Sequence, residues 1–153
     1  MEAIRTTMPA PHAPVPHMPV PTPLVLAADT VVWYGGRIFG KPRDEAHAQR
    51  ILTALRGETH QVYTGICLRH GDKYHVAHEA TSVRFGAVSD EWITRYIASG
   101  EPMDKAGAYA AQGRGAMLIE RIEGDFWNVV GLPLGCLGRL LESLGAPVET
   151  WWS

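Results

Sequence analysis

LVLAADTVVWYGGRIFG, residues 24–40, is the stretch on which the fold turns. Leu24-Val25-Leu26-Ala27-Ala28 is a short continuous apolar run, the pattern of a buried strand, and it ends at Asp29. Val31 to Tyr34, Gly35-Gly36 and Arg37 to Phe39 then read as a hairpin around a Gly-Gly turn. Gly40-Lys41-Pro42 breaks the strand pattern, and Asp44 caps a helix running to about Arg56. Ala48, Ile51, Leu52 and Leu55 share that helix's apolar face, and Gly57 suits the position just past its end.

Farther along, Gln61–Leu68 and Lys73–Phe85 are β-like segments joined at His70-Gly71-Asp72. Ser89 caps a second helix with Asp90 and Glu91 in its positive first turn and Trp92, Ile93, Tyr96 and Ile97 as its stripe. Residues 100–115 are polar, glycine-rich and irregular. Ala116–Ile122 reads as a strand, and Gly124-Asp125 as a turn. Pro133 opens a last helix with Leu134, Leu137, Leu140, Leu141 and Leu144 facing inward. Strands alternating with helices, hairpins included, specify an α/β or α+β domain with a mixed sheet. On the N-terminal side the texture changes: residues 1–23 hold seven of the eleven prolines and read as a proline-rich, disordered arm, leaving 24–153 as the domain.

The whole chain has 153 residues, enough for one domain of ordinary size. Fourteen Lys and Arg against sixteen Asp and Glu leave a net charge of −2, so no bulk positive field invites nucleic acid. No apolar run approaches the ~20 residues that span a bilayer, which argues against a membrane protein. Two cysteines, Cys67 and Cys136, are too few for a disulfide scaffold, and the expected compartment is the reducing cytoplasm. They read as buried, inert thiols.

Several side chains carry candidate chemistry. Asp29, directly after an apolar strand, lies where α/β sheets place ligands and could hold a divalent cation or take a proton from water. A turn capped by its own carboxylate, with Thr30 helping, is an equal reading. Lys41, between Gly40 and Pro42, could meet phosphate as a point charge, although a solvated surface lysine is commoner. In the long polar loop Lys105 could neutralise phosphate and Gln112 could read a base edge through its paired donor and acceptor. The plain alternative there is a surface loop with Tyr109 packed inward. His70, His75 and His78 do not make a metal cluster, because positions 75 and 78 of a strand face opposite ways. Asn128 reads as shaping a turn.

Taken together, these segments resemble the Maf family of nucleoside triphosphate pyrophosphatases. The matching stretches are Ala28-Asp29-Thr30-Val31-Val32, Gly40-Lys41-Pro42, residues 57–65 (GETHQVYTG), Thr81-Ser82-Val83-Arg84-Phe85, residues 100–109 (GEPMDKAGAY) with Gln112-Gly113, and Gly124-Asp125 followed by residues 128–134 (NVVGLPL). The resemblance implies an α/β fold like that of the Maf and inosine-triphosphatase proteins, a mixed sheet with flanking helices. It implies cleavage of a triphosphate to monophosphate and pyrophosphate with Mg²⁺ or Mn²⁺. Asp29 would be the catalytic carboxylate and metal ligand, Lys41 and Lys105 would contact the triphosphate, and Thr30 and Gln112 would set specificity. The Asp-Thr and Gln-Gly pairs are similar to those of the branch acting on dTTP and UTP, with modified pyrimidine nucleotides as further substrates. Homodimers are common in the family.

One departure is large. Family members open with a strand and a loop like Ser-x-Ser-Pro-Arg-Arg, followed by a helix and a metal-binding glutamate. Here no Ser-Pro-Arg occurs, and Arg5 is the sole arginine before Asp29. The expectation is an N-terminally truncated Maf domain that has lost several kcal/mol of transition-state stabilisation, or else a wrongly chosen start of a longer protein. The alternative function is a catalytically impaired nucleotide- or partner-binding protein with a role in cell-division control.

Overall fold

The computed structural model describes residues 23–146. The arm expected over 1–23 therefore lies, Pro23 apart, outside the described residues, as do residues 147–153.

The described residues form five strands and four helices: β1 (Leu24–Tyr34), β2 (Arg37–Phe39), α1 (Glu45–Leu55), β3 (Thr59–His70), β4 (Lys73–Phe85), α2 (Asp90–Ala98), β5 (Ile119–Glu123), α3 (Phe126–Val130) and α4 (Leu134–Ser143). Three short 3-10 turns, Glu101–Asp104, Ala106–Ala108 and Gly113–Leu118, lie between α2 and β5. The sheet order is β2-β1-β3-β4-β5. The α/β class with flanking helices is as expected. The parallel component of a mixed sheet does not occur among the described residues, where all four strand pairs are antiparallel. Tight turns join β1 to β2 and β3 to β4, and a tight turn can only return a strand antiparallel.

Local chemistry explains the main joints. Gly35 and Gly36 both have positive φ (58° and 77°), the twist a two-residue hairpin needs. Asp44 accepts the His47 N–H at 2.6 Å and Ser89 accepts the Trp92 N–H at 3.1 Å, so α1 and α2 start where their caps predict. Along β3, His60, Val62, Thr64, Ile66 and Leu68 are buried at every second position. The helices cover that one face. A core of Val32, Val62, Val83 and Phe85 packs against Ile51, Leu52 and Leu55 of α1 and Ile93, Tyr96 and Ile97 of α2. On the opposite face Trp33, Tyr63, Tyr74 and Val76 are exposed.

Three expectations change. Leu24–Ala28 is a strand but not a buried one, because it is hydrogen-bonded on the β3 side only and β2 reaches no farther than Val32. Residues 116–118 belong to a 3-10 turn rather than to the following strand, because backbone N–H groups just before them are fastened to Glu101. In α4 the buried residues are Cys136 and Leu141, whereas Leu134 is exposed. Among the described residues no helix is long and apolar enough to cross a membrane.

Candidate active site

Asp29, Thr30, Lys41, Lys105 and Gln112 come from three separate segments of the chain and line one cavity of about 540 Å³. That volume lies within the range of small-molecule sites. β1 supplies Asp29 and Thr30. The loop between β2 and α1 supplies Lys41, and the 3-10 segment after α2 supplies Lys105 and Gln112. Val62 of β3 and Val129 and Val130 of α3 add apolar surface.

Each side chain is set by identifiable contacts. The exposed Asp29 carboxylate uses Oδ1 to accept the Thr30 N–H at 3.0 Å. The expectation of a strand end or a capped turn at Asp29 does not hold, because β1 runs on through it to Tyr34 and Asp29 pairs with Gly65 in the β1–β3 ladder; Oδ2 has no protein partner among the described residues. Thr64 donates its hydroxyl hydrogen to the Asn128 carbonyl at 3.0 Å, so Thr30 must be the donor in the 2.9 Å Thr30–Thr64 contact. The Thr30 hydroxyl hydrogen is therefore spent on Thr64, while the residue still lines the cavity. Lys105 Nζ donates to Asp104 Oδ1 at 2.6 Å. That bond, together with the fields of Lys105 and Lys41, holds the Asp104 carboxyl below the usual carboxylate range. Lys41 has no ion pair among the described residues.

The two lysine-bearing loops are tied together. Gly107 N–H donates to the Gly40 carbonyl at 3.1 Å. A side chain at Gly107, whose φ is +69°, would place its Cβ 2.7 Å from Val32 Cγ2, so only glycine lets the Lys105 loop approach β1 this closely.

The residue types alone pointed to none of Glu101, Tyr96, Asn128 and His60 in their structural roles. Glu101 lines the cavity and accepts hydrogen bonds from Gly115 N–H, Arg114 N–H and the Tyr96 hydroxyl. Burial pushes its pKa up, but those three donors outweigh burial and hold it below its ordinary value. Burial also raises the Tyr96 hydroxyl pKa, so it stays a neutral donor. Asn128 is fully buried rather than placed in a turn. Its Nδ2 donates to the Val62 carbonyl at 3.0 Å and to Thr81 Oγ1 at 2.9 Å, stapling α3 across β3 and β4. Behind the cavity, His60 Nε2 meets the Tyr109 hydroxyl at 2.9 Å, and both rings stand edge-on to Phe85. A signal for these roles was available only in part: Glu101, His60 and Asn128 stood inside the segments quoted above, but nothing in their spacing said which way they faced.

The Maf-like protein family model matches residues 2–144. This chain belongs to the Maf family. It is similar to the dTTP/UTP pyrophosphatase of Symbiobacterium thermophilum, with 52% identity over 127 residues, covering 83% of this chain and 66% of that one. The dTTP/UTP pyrophosphatases of Dictyoglomus thermophilum (51% over 124 residues, 80% and 64% covered) and Bacillus cytotoxicus (48% over 119 residues, 78% and 62% covered) are similar to it as well. The Maf-family chain thus spans 62–66% of the length of these three curated relatives. Within the family match lie all five cavity residues picked out above.

Proposed function

We propose that this Maf-family chain hydrolyses nucleoside triphosphates, dTTP and UTP foremost, to the monophosphate and pyrophosphate. The observation that carries the reading is the convergence of Asp29, Thr30, Lys41, Lys105 and Gln112 on one cavity. The relatives named dTTP/UTP pyrophosphatase add weight to the choice of substrate. Lys41 and Lys105 bring positive charge to the phosphate oxygens that gain charge as pyrophosphate leaves. Asp29, through its open Oδ2, orients a water for in-line attack on the α-phosphorus and receives its proton. Gln112 pairs its amide with the acceptor and N–H edge of the pyrimidine.

A divalent cation fits this donor set in a specific way. No group of three or more His, Cys, Asp or Glu side chains poised for a metal occurs among the described residues. Mg²⁺ needs no such cage, because it keeps several waters and takes one or two carboxylates plus substrate phosphates. Asp29 would hold it. When bound, the ion neutralises phosphate charge and lowers the pKa of a coordinated water.

A second reading has one observation behind it. The Lys105 ammonium is already engaged by Asp104, which reduces the charge it offers to phosphate. On that reading the chain binds nucleotide without turning it over. The test is pyrophosphate release from dTTP, UTP and 7-methyl-GTP with Mg²⁺ or Mn²⁺, beside Asp29→Asn. The expected outcome is release from dTTP and UTP that falls by roughly 10²–10⁴-fold in the variant. Nucleotide binding without release by the folded protein would select the second reading, and absence of binding would sink both.

A further inference from the structure

We infer that Glu101, with Tyr96, is the positioning device that gives this cavity its choice of base. The inference rests on the nucleotide reading of the cavity and goes beyond it by assigning a role to a carboxylate that touches neither phosphate nor water in that reading.

Glu101 lies immediately after α2, and its two oxygens serve three donors. Oε1 accepts Gly115 N–H at 2.9 Å and the Tyr96 hydroxyl at 3.0 Å, while Oε2 accepts Arg114 N–H at 3.1 Å. The Tyr96 oxygen in turn accepts Ala110 N–H at 3.1 Å. Residues 110 and 114–115 are thereby fastened to one pair of side chains, and Gln112 is the residue midway between the fastenings. Its exposed side chain lines the cavity.

The loop is built for this contact. A Cβ at Gly113 would lie 2.9 Å from Glu101 Oε2, and one at Gly115 would lie 2.4 Å from the Ala110 carbonyl oxygen and 2.5 Å from the Tyr96 hydroxyl oxygen. Glycine at both positions lets the backbone N–H groups close on the carboxylate.

A negative charge beside a triphosphate cavity weakens binding unless it is consumed elsewhere. Here it is consumed by two backbone N–H groups and a hydroxyl, and that makes a carboxylate the right group. A glutamine would turn one –NH₂ toward a backbone N–H and lose a fastening. A base amide is distinguished from its donor–acceptor inverse only if the reading side chain is held in orientation. Phosphate attraction, by contrast, comes from Lys41 on the β2–α1 loop and from Lys105, which shares the segment of Glu101 and Gln112 but is tied to the Lys41 loop through the Gly107 N–H and the Gly40 carbonyl rather than through the Glu101 carboxylate. Glu101 should therefore govern discrimination between bases and leave phosphate affinity alone.

The experiment measures calorimetric binding of the α,β-methylene analogues of dTTP and dCTP, with inorganic tripolyphosphate as the base-free probe. It compares the wild-type chain, Glu101→Gln and Tyr96→Phe. Hydrogen exchange of residues 110–115 reports the loop directly. The expected result is a dTTP-over-dCTP preference that drops roughly tenfold in both variants, with tripolyphosphate affinity unchanged and exchange of 110–115 accelerated. Accelerated exchange with the preference intact would overturn the inference. So would an equal loss for all three ligands, the mark of a merely structural role. A wild-type chain that binds tripolyphosphate but prefers neither base would overturn the inference and leave the phosphate site standing. One that binds none of the probes would overturn the nucleotide reading itself.

Discussion

Val32 and Leu26 stand on the same face of one strand, yet Val32 is 1% exposed and Leu26 is 40% exposed. Their partners across the β1–β3 ladder, Val62 and Leu68, are both 1% exposed. The difference therefore does not come from the β1–β3 pairing. It comes from the layer above and the edge beside. Val32 belongs to the buried cluster that α1 and α2 complete, meets the Gly107 loop and is flanked by β2, whereas Leu26 is outside that cluster and beyond the reach of β2. Apolar character makes a strand, but only a second layer makes it core.

The largest test of that contrast is Phe85→Ala, which empties the centre of the His60–Phe85–Tyr109 cluster. It should cost about 4 kcal/mol in urea unfolding. Gly107→Ala comes next. It forces a Cβ against the stiff Val32 side chain at positive φ, and a loss of about 2–3 kcal/mol with weakened tripolyphosphate binding is expected.

The third test is pH. Burial lowers His60 to about 4 from its ordinary 6.5. The unfolded chain takes up this proton first. Stability from the neutral ring is thus complete above about pH 6.5 and declines as pH falls toward 4. Between pH 7.5 and pH 5 the loss should be about 2 kcal/mol, and His60→Gln should flatten that dependence in paired denaturation curves. The smallest effect belongs to Leu26→Ser, expected to stay within about 0.5 kcal/mol. A loss at Leu26 comparable with that at Phe85 would erase the contrast.

The same contrast marks what could be read from residues alone. Period-two burial along β3, the Asp44 and Ser89 caps and the Gly35-Gly36 hairpin are local chemistry and stand in the structure where the pattern put them. The exposure of Leu24–Ala28 is not local. The run LVLAA looks the same whether or not another layer lies on it. Likewise, Asp29, Lys41, Lys105 and Gln112 stood out by residue type and setting, and the fold brings them around one cavity. Glu101 stood within a quoted segment, but its role depends on where Arg114 and Gly115 point their N–H groups, and spacing carries no such direction. The buried Asn128 shows the same limit: an Asn before Val-Val-Gly suits a turn by propensity, and only the nearness of Val62 and Thr81 makes it a staple between elements.

The bond from Gly107 to Gly40 has a consequence for timing. Two loops joined before any ligand arrives do not have to be gathered by it, so the entropy of bringing Lys41 beside Lys105 is settled when the chain folds. Encounter with a polyanion then has no closing step to wait for at this wall of the cavity. Its rate should be set by diffusion and free of a slow second phase.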